Sequence, residues 1–327
     1  MKQNQKKLIK PIALLLTFGV VQALISLGII DDYQQVTIVM ICINIIMAVS
    51  LNLITGFTGQ FSLGHAGFMS IGAYVCAIVT MQMNSVFGFV LGLFLGAAIA
   101  AFIGFLIGIP TLRLKGDYLA IATLGLAEII RVVFLNMEIT NGAAGLNGVP
   151  QYTNWFWLFL FTAGTVVVIS NYLNSSQGRA CISIREDEIA SESMGINTTK
   201  YKIMAFTMGA FFAGIAGALY ASYFYFLKPD LFGFLKSIDY LVIVVLGGMG
   251  SISGSIIASI LLAAISAYLQ AFPAARMIIY SVLLVAIMLF RPQGLMGSKE
   301  LSLSTFEKAG KGLENLFTRK KSEDRIQ

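Results

Sequence analysis

Long uninterrupted apolar runs decide what this chain can become. A helix that crosses the hydrocarbon core of a bilayer takes about 20 apolar residues at about 1.5 Å rise each. Runs near that length occupy positions 11–30, 36–54, 86–109, 118–135, 154–173 and 202–224, with a shorter one at 276–290. Stretches interrupted by glycine lie at 66–81 and 239–271. Of 327 residues, 57% are hydrophobic and 12% charged. Soluble domains carry about 25% charged residues, so this chain cannot clothe a water-facing surface. The expected fold is all-α: a polytopic helical membrane protein of eight to ten transmembrane helices, with broken or re-entrant Gly-rich segments.

Basic residues orient these spans. Lys2, Lys6, Lys7 and Lys10 flank the first run; Arg113 and Lys115 follow the third; Arg179, Arg185, Lys200 and Lys202 lie between 174 and 202; eight more follow from Arg291 onward. Alternating spans of even number put all of these on one side, leaving Arg131, Lys228, Lys236 and Arg276 on the other. The positive-inside rule makes the first set cytoplasmic, and with it both termini. The chain then divides into a basic flank (1–10), a membrane domain (11–295) containing a cytoplasmic loop (174–201), and an amphipathic tail (296–327). The first apolar run is long and lacks an A-x-A-like site, so it reads as a retained helix rather than a cleaved signal. The net charge of +6 is absorbed by the orientation bias and calls for no nucleic-acid partner; the tail suits the anionic leaflet of the lipid bilayer. Cys42 and Cys76 fall in apolar spans and Cys181 in the cytoplasmic loop, a pattern of small hydrophobes rather than of a disulfide framework.

Two polar, Gly-rich interruptions stand out, one in each half. The first, TGFTGQFSLGHAGF at 55–68, contains Gly56, Gly59, Gln60, Ser62, Gly64 and His65; the second, VVLGGMGSISGS at 244–255, contains Gly247 and Gly248. Lipid cannot satisfy irregular backbone, so such segments belong inside protein or beside an aqueous cavity. Paired interruptions in two halves also point to a transport path. These residues are therefore the candidate lining of a translocation pathway, although the second segment has few polar side chains beyond serine and its glycines suit close helix approach equally well. Gly92, Gly96, Gly104 and Gly108 read instead as small residues that let helices approach closely.

Glu128 and Arg131 share a helical face inside a span. Either they line the pathway, with Glu128 as its charged member, or they form an internal ion pair that orients helices. His65 is the only histidine, which rules out a multi-histidine metal site, and a lone histidine among glycines suits hydrogen bonding better than a proton relay. No catalytic constellation, cofactor motif or GxxxxGK[ST] stretch is present, so the chain is no enzyme and does not hydrolyse ATP by P-loop chemistry.

The loop reads GRACISIREDEIASESMGINTTKYKIMAF over 178–206. Helix-favouring residues ending at Gly195 predict a short amphipathic helix with a glycine cap, suited either to docking on another protein or to plain solvation. The segment REDEIASESMGIN, the following Tyr201-Lys202 and the span AFTMGAFFAGIAGALY resemble the coupling region of ABC importer permeases of the branched-chain amino-acid family, LivM type. SLNLITGFTGQFSLGHAGFMSIGAY (50–74), KGDYLAIATLGLAEIIR (115–131), TNGAAGLNGVP (140–150) and VLGGMGSISGS (245–255) match that family in order, over roughly 36–294. The resemblance implies the permease subunit of an ATP-driven importer of leucine, isoleucine and valine in the cell membrane. It implies a second homologous permease, two cytoplasmic ABC ATPase subunits and an external substrate-binding protein as partners. The loop would couple ATPase closure to the helices, with Glu186, Asp187, Glu188 and Glu192 meeting basic groups on the ATPase and Gly195 ending the docking helix. A urea or amide permease shares this architecture. An ion-coupled secondary transporter would also use broken helices, but would call for more intramembrane carboxylates than Glu128.

Overall fold

The computed structural model describes residues 16–114, 116–269, 278–279, 282, 285, 289–291 and 293–297. Its helices are α1 (Leu16–Ser26), α2 (Asp32–Asn52), α3 (His65–Gln82), α4 (Val86–Thr111), α5 (Asp117–Asn136), α6 (Trp155–Asn174), α7 (Ser176–Glu186), α8 (Glu188–Ser193), α9 (Thr198–Phe224), α10 (Phe234–Gly247) and α11 (Ile252–Tyr268). Six of them, α2 to α6 and α9, are long and apolar enough to cross a membrane. The expected span at 276–290 lies mostly outside the described residues, as do the basic flank at 1–10 and the tail from 298.

Helix starts follow local capping chemistry. Side-chain oxygens of Ser85, Asn154, Ser175, Asp187, Asn197 and Ser251 each accept a backbone N–H from the first turn of the helix they precede. Such caps satisfy donors that a helix leaves orphaned and contribute about 1 kcal/mol each.

Helices α2, α3 and α9 are enclosed on most faces, whereas α4, α5 and α6 keep most of their surface outside. The outward faces carry Phe87, Phe94, Phe102 and Phe105, side chains that hydrocarbon tolerates and water does not. The close packing of α3, α4 and α9 depends on small residues. A methyl at Gly72 would overlap the backbone of Gly214, one at Gly96 would sit 2.8 Å from the Gly72 carbonyl oxygen, and one at Gly104 would meet Ala210. Gly92 and Gly108 face neighbouring helices in the same way, so the close-approach reading of this series is what the fold displays. Helix α1 lies against α6, with Phe18 stacked on Trp155.

At one end of the bundle the chain between α5 and α6 forms two 3₁₀ turns and a two-residue strand, β1 (Leu146–Asn147), antiparallel to β2 (Phe226–Leu227) after α9. The other end carries α7 and α8. The 174–201 segment holds the expected short helix and a second before it, because Ser175 and Asp187 cap two successive short helices. Cys181 is buried on α7, as a small hydrophobe would be. The helix in the stretch expected from 239 begins earlier, at Phe234.

Candidate translocation and coupling site

The first Gly-rich segment begins where α2 ends. At 21 residues, α2 extends about 30 Å before the backbone becomes irregular, and the irregular part is mostly buried in the protein. The helix widens to π-type spacing over Leu53–Phe57 and then runs irregularly to His65. Freed backbone groups find partners: Thr55 and Thr58 hydroxyls donate to the carbonyls of Leu51 and Leu53, the Leu63 N–H donates to Thr123 Oγ1 at 3.0 Å, and the Ala66 N–H donates to Ser237 Oγ. Ser50 Oγ and His65 Nε2 are 2.8 Å apart. Gln60, Ser62 and His65 are buried together, so polar residues accompany this turn as the pattern required.

The second segment joins α10 to α11. Gly248 (φ 112°) and Gly250 (φ 91°) occupy backbone regions that other residues rarely enter. Gly247 packs backbone to backbone against Gly254, which closes α10 onto the start of α11. The two interruptions meet at Asn52. Its carboxamide nitrogen donates to the Ser251 carbonyl at 2.9 Å and to Ser255 Oγ at 2.8 Å, and its oxygen accepts the Gly250 N–H at 2.9 Å. Asn52 is fully buried. The sequence reading did not single it out, although an amide inside an apolar run is an expensive residue that asks for partners.

Helices α7 and α8 pack beneath this junction. Arg185 Nη1 donates to the Gly56 carbonyl at 2.8 Å. The same guanidinium lies where a side chain at Gly250 would go, and a methyl added at Gly59 (φ 73°) would lie 3.2 Å from the Arg185 stem. One side chain thus touches both Gly-rich segments. Its other nitrogens bind Glu186 Oε1. A cavity of about 270 Å³ separates the first segment from α7 and α8, lined by Gln60, Arg185, Glu188 and Lys202 among others. The Gln60 carboxamide is buried there with no partner among the described residues.

The acidic set is engaged within the chain. Asp187 Oδ1 accepts the Ala190 N–H at 3.0 Å, Glu188 pairs with Lys202 Nζ at 2.6 Å, Glu192 accepts from Thr198 Oγ1 at 2.7 Å, and Glu186 holds Arg185. Gly195 (φ 84°) ends α8 as expected, donating its N–H to Glu192 O. On α8 and its C-cap two large apolar side chains stand outward beside the exposed Glu192 and Ser193: Ile189 is 74% exposed and Met194 82%. Beneath it, the Cys181 thiol lies 3.3 Å from the Tyr172 hydroxyl. Burial pushes this thiol above its ordinary range, against the opposing hydrogen bonds of Tyr172 and Thr58.

Glu128 belongs to another cluster. Arg131 binds Glu128 Oε2 at 2.7 Å and Asp230 Oδ1 at 2.9 Å, tying α5 to the 3₁₀ turn Pro229–Phe232 near the β1–β2 end. The ion pair read from the sequence is therefore present, extended by a third member, and it lies apart from the Asn52 junction.

The model of the family described as "Branched-chain amino acid transport system / permease component" matches residues 35–290. The chain is 38% identical over 292 residues to the high-affinity branched-chain amino acid transport system permease protein LivM of Salmonella typhimurium LT2, covering 79% of this chain and 68% of that one. It is 37% identical over 305 residues to LivM of Escherichia coli K12, covering 83% and 71%. With the permease protein LivH of Salmonella typhimurium LT2 it shares 25% identity over 289 residues, or 78% and 92% of the two chains.

Proposed function

The chain belongs to the branched-chain amino acid transport permease family, and from that premise we propose that it forms one half of the translocation path of an ATP-driven importer of leucine, isoleucine and valine. It is a multi-pass protein of the cell membrane and a transport subunit. In this reading a second, LivH-like permease completes the path, two ABC ATPases bind α7 and α8 from the cytoplasm, and an external protein delivers the amino acid. Ten crossings satisfy the basic-residue bias: α1 to α6, α9, α10, α11 and the run at 276–290. The β1–β2 end then faces outward and the Asn52 junction inward.

The observation that carries the coupling role is the Arg185–Gly56 hydrogen bond. It joins the helix pair that meets the ATPases to the turn that meets the second Gly-rich segment through Asn52. A rigid-body shift of α7 and α8 is thereby handed to both segments. The surface that meets the ATPase carries the exposed acidic residues Glu186, Asp187 and Glu192 together with the exposed apolar pair Ile189 and Met194.

Uptake of radiolabelled leucine into proteoliposomes carrying the assembled complex tests this reading. Uptake should require ATP and be lost in Gly195→Pro, since proline cannot take a positive φ, and in Glu192→Arg, which removes the acceptor of Thr198. Uptake by this chain alone, driven by an ion gradient and indifferent to both changes, would refute it. An assembled, ATP-hydrolysing complex that ignores leucine would leave the architecture and move the cargo to urea or amides.

A further inference from the structure

A crevice of about 470 Å³ lies between α2, α9, α10 and α11, within the range of about 300–1,000 Å³ typical of small-ligand sites. It sits toward the β1–β2 end, because its walls are the first half of α2, the first half of α10 and the last turns of α9 and α11. Tyr33 stands at its rim, half-exposed, with its hydroxyl donating to the Ala267 carbonyl at 2.6 Å and so tying α2 to α11. The same helices α2, α10 and α11 are knotted together by Asn52 farther along the bundle. The crevice thus lies between the Tyr33–Ala267 contact and the Asn52 junction.

Its lining pairs opposite charges with apolar surface. Lys236 Nζ and Asp239 Oδ2 are 3.8 Å apart, a loose pair at the outer limit of ion-pair geometry. Lys236 also lies over the Tyr240 ring, 5.2 Å from its centroid, which holds the stem in place. Asn44 Oδ1 is buried with no hydrogen-bond partner among the described residues. Met40, Ile243 and Leu262 supply apolar walls.

We propose that this crevice is the site at which the amino acid in transit rests, with its carboxylate on Lys236, its ammonium on Asp239, and its branched side chain against Met40, Ile243 and Leu262. The proposal rests on the importer reading above and adds the residues that hold the cargo. An α-amino acid carries one cation, one anion and one apolar branch, the three features the crevice presents. A zwitterion offers Lys236 a carboxylate and Asp239 an ammonium, each a charge-assisted contact. A zwitterionic lipid headgroup shares the charged part of this chemistry but not the apolar branch.

The test is binding of tritiated leucine to the purified permease–ATPase complex without the external protein, alongside ATP-dependent uptake by the wild type. Lys236→Gln should weaken leucine binding by about tenfold or more, as expected for a lost charge-assisted contact, and Lys236→Arg should restore it. The effect should follow the ligand: leucinamide, which has no carboxylate, should be indifferent to Lys236→Gln, and N-acetylleucine, which has no ammonium, indifferent to Asp239→Asn. Wild-type uptake of leucine with binding unchanged in assembled Lys236→Gln and Asp239→Asn complexes would overturn the site and leave the importer reading intact. Displacement of leucine from neither variant nor wild type, with glycerophosphoethanolamine binding instead, would assign the crevice to a lipid headgroup and equally overturn it. Absence of leucine uptake by the wild-type complex would fell the importer reading, and this site with it.

Discussion

Replacing Asn52 by alanine tests whether the two Gly-rich segments are held together by one side chain. Three hydrogen bonds disappear with the carboxamide. Their losses are unequal. The Ser251 carbonyl keeps the Ser255 N–H and hydroxyl as donors, and Ser255 Oγ keeps that carbonyl as acceptor. The Gly250 N–H has no such reserve, and an orphaned buried donor costs about 1–3 kcal/mol. If the junction holds only in the closed path, its weakening by that amount raises the open fraction by about 5- to 150-fold. The assay is efflux of preloaded radiolabelled leucine from proteoliposomes without ATP, together with the ratio of leucine imported to ATP hydrolysed. Asn52→Ala should leak and waste ATP. Gly56→Ala should do likewise by a different route, because its methyl would overlap both the Asn52 carboxamide and the Gly250 backbone. Tight vesicles with an unchanged transport-to-ATP ratio in an assembled Asn52→Ala complex would refute the reasoning.

Arg185→Gln removes a charged donor to the Gly56 carbonyl, a contact worth about 1.5–3 kcal/mol; ATP hydrolysis should persist while leucine uptake falls, and uptake equal to wild type would count against Arg185 as the link. Ile189→Asp with Met194→Ser should weaken ATPase association about a hundredfold to ten-thousandfold, from roughly 1.5–3 kcal/mol of lost apolar burial for each of the two side chains, read by co-purification at increasing dilution. Gly72→Ala pushes a methyl into the Gly214 backbone, so its cost should lie at the upper end of the roughly 1–3 kcal/mol of overpacking and lower the thermal midpoint in detergent. Gly125→Ala, with open space around the added methyl, is its neutral control. Cys181 should resist maleimide near neutral pH: burial raises its pKa, which leaves less of the reactive thiolate, and labelling should appear only as the pH rises or the protein is denatured.

The sequence determined, by itself, every feature that rests on local composition. Apolar runs of the right length became α2, α4, α5, α6 and α9, with bounds shifted by a few residues, and the glycine-interrupted stretch at 66–81 became the full-length α3. Gly195 ended α8 because a positive φ suits glycine, and Gly92, Gly96, Gly104 and Gly108 lay against neighbours because small residues at helical spacing admit close approach. The Glu128–Arg131 pair followed from a three-residue spacing on one face. The five ordered motifs carried the family, which the similarity over residues 35–290 supports.

Tertiary structure alone decided what those features do to one another. Asn52 and Gly250 are 198 positions apart and Arg185 and Gly56 are 129 apart, so no local pattern announces either contact. The acidic residues of 186–192 looked like an outward docking face, since charge is usually solvated. Their partners Arg185, Thr198 and Lys202 come from the same segment and from the turn into α9, and only the folded arrangement of α7, α8 and α9 pairs the carboxylates within the chain, with Glu186, Asp187 and Glu192 still exposed beside Ile189 and Met194. The crevice was equally illegible, because it is the space left between four helices whose sequences meet only when the bundle closes. Periodicity records which residues avoid water; the pairing of distant polar groups is set by the packing that brings them within hydrogen-bond reach.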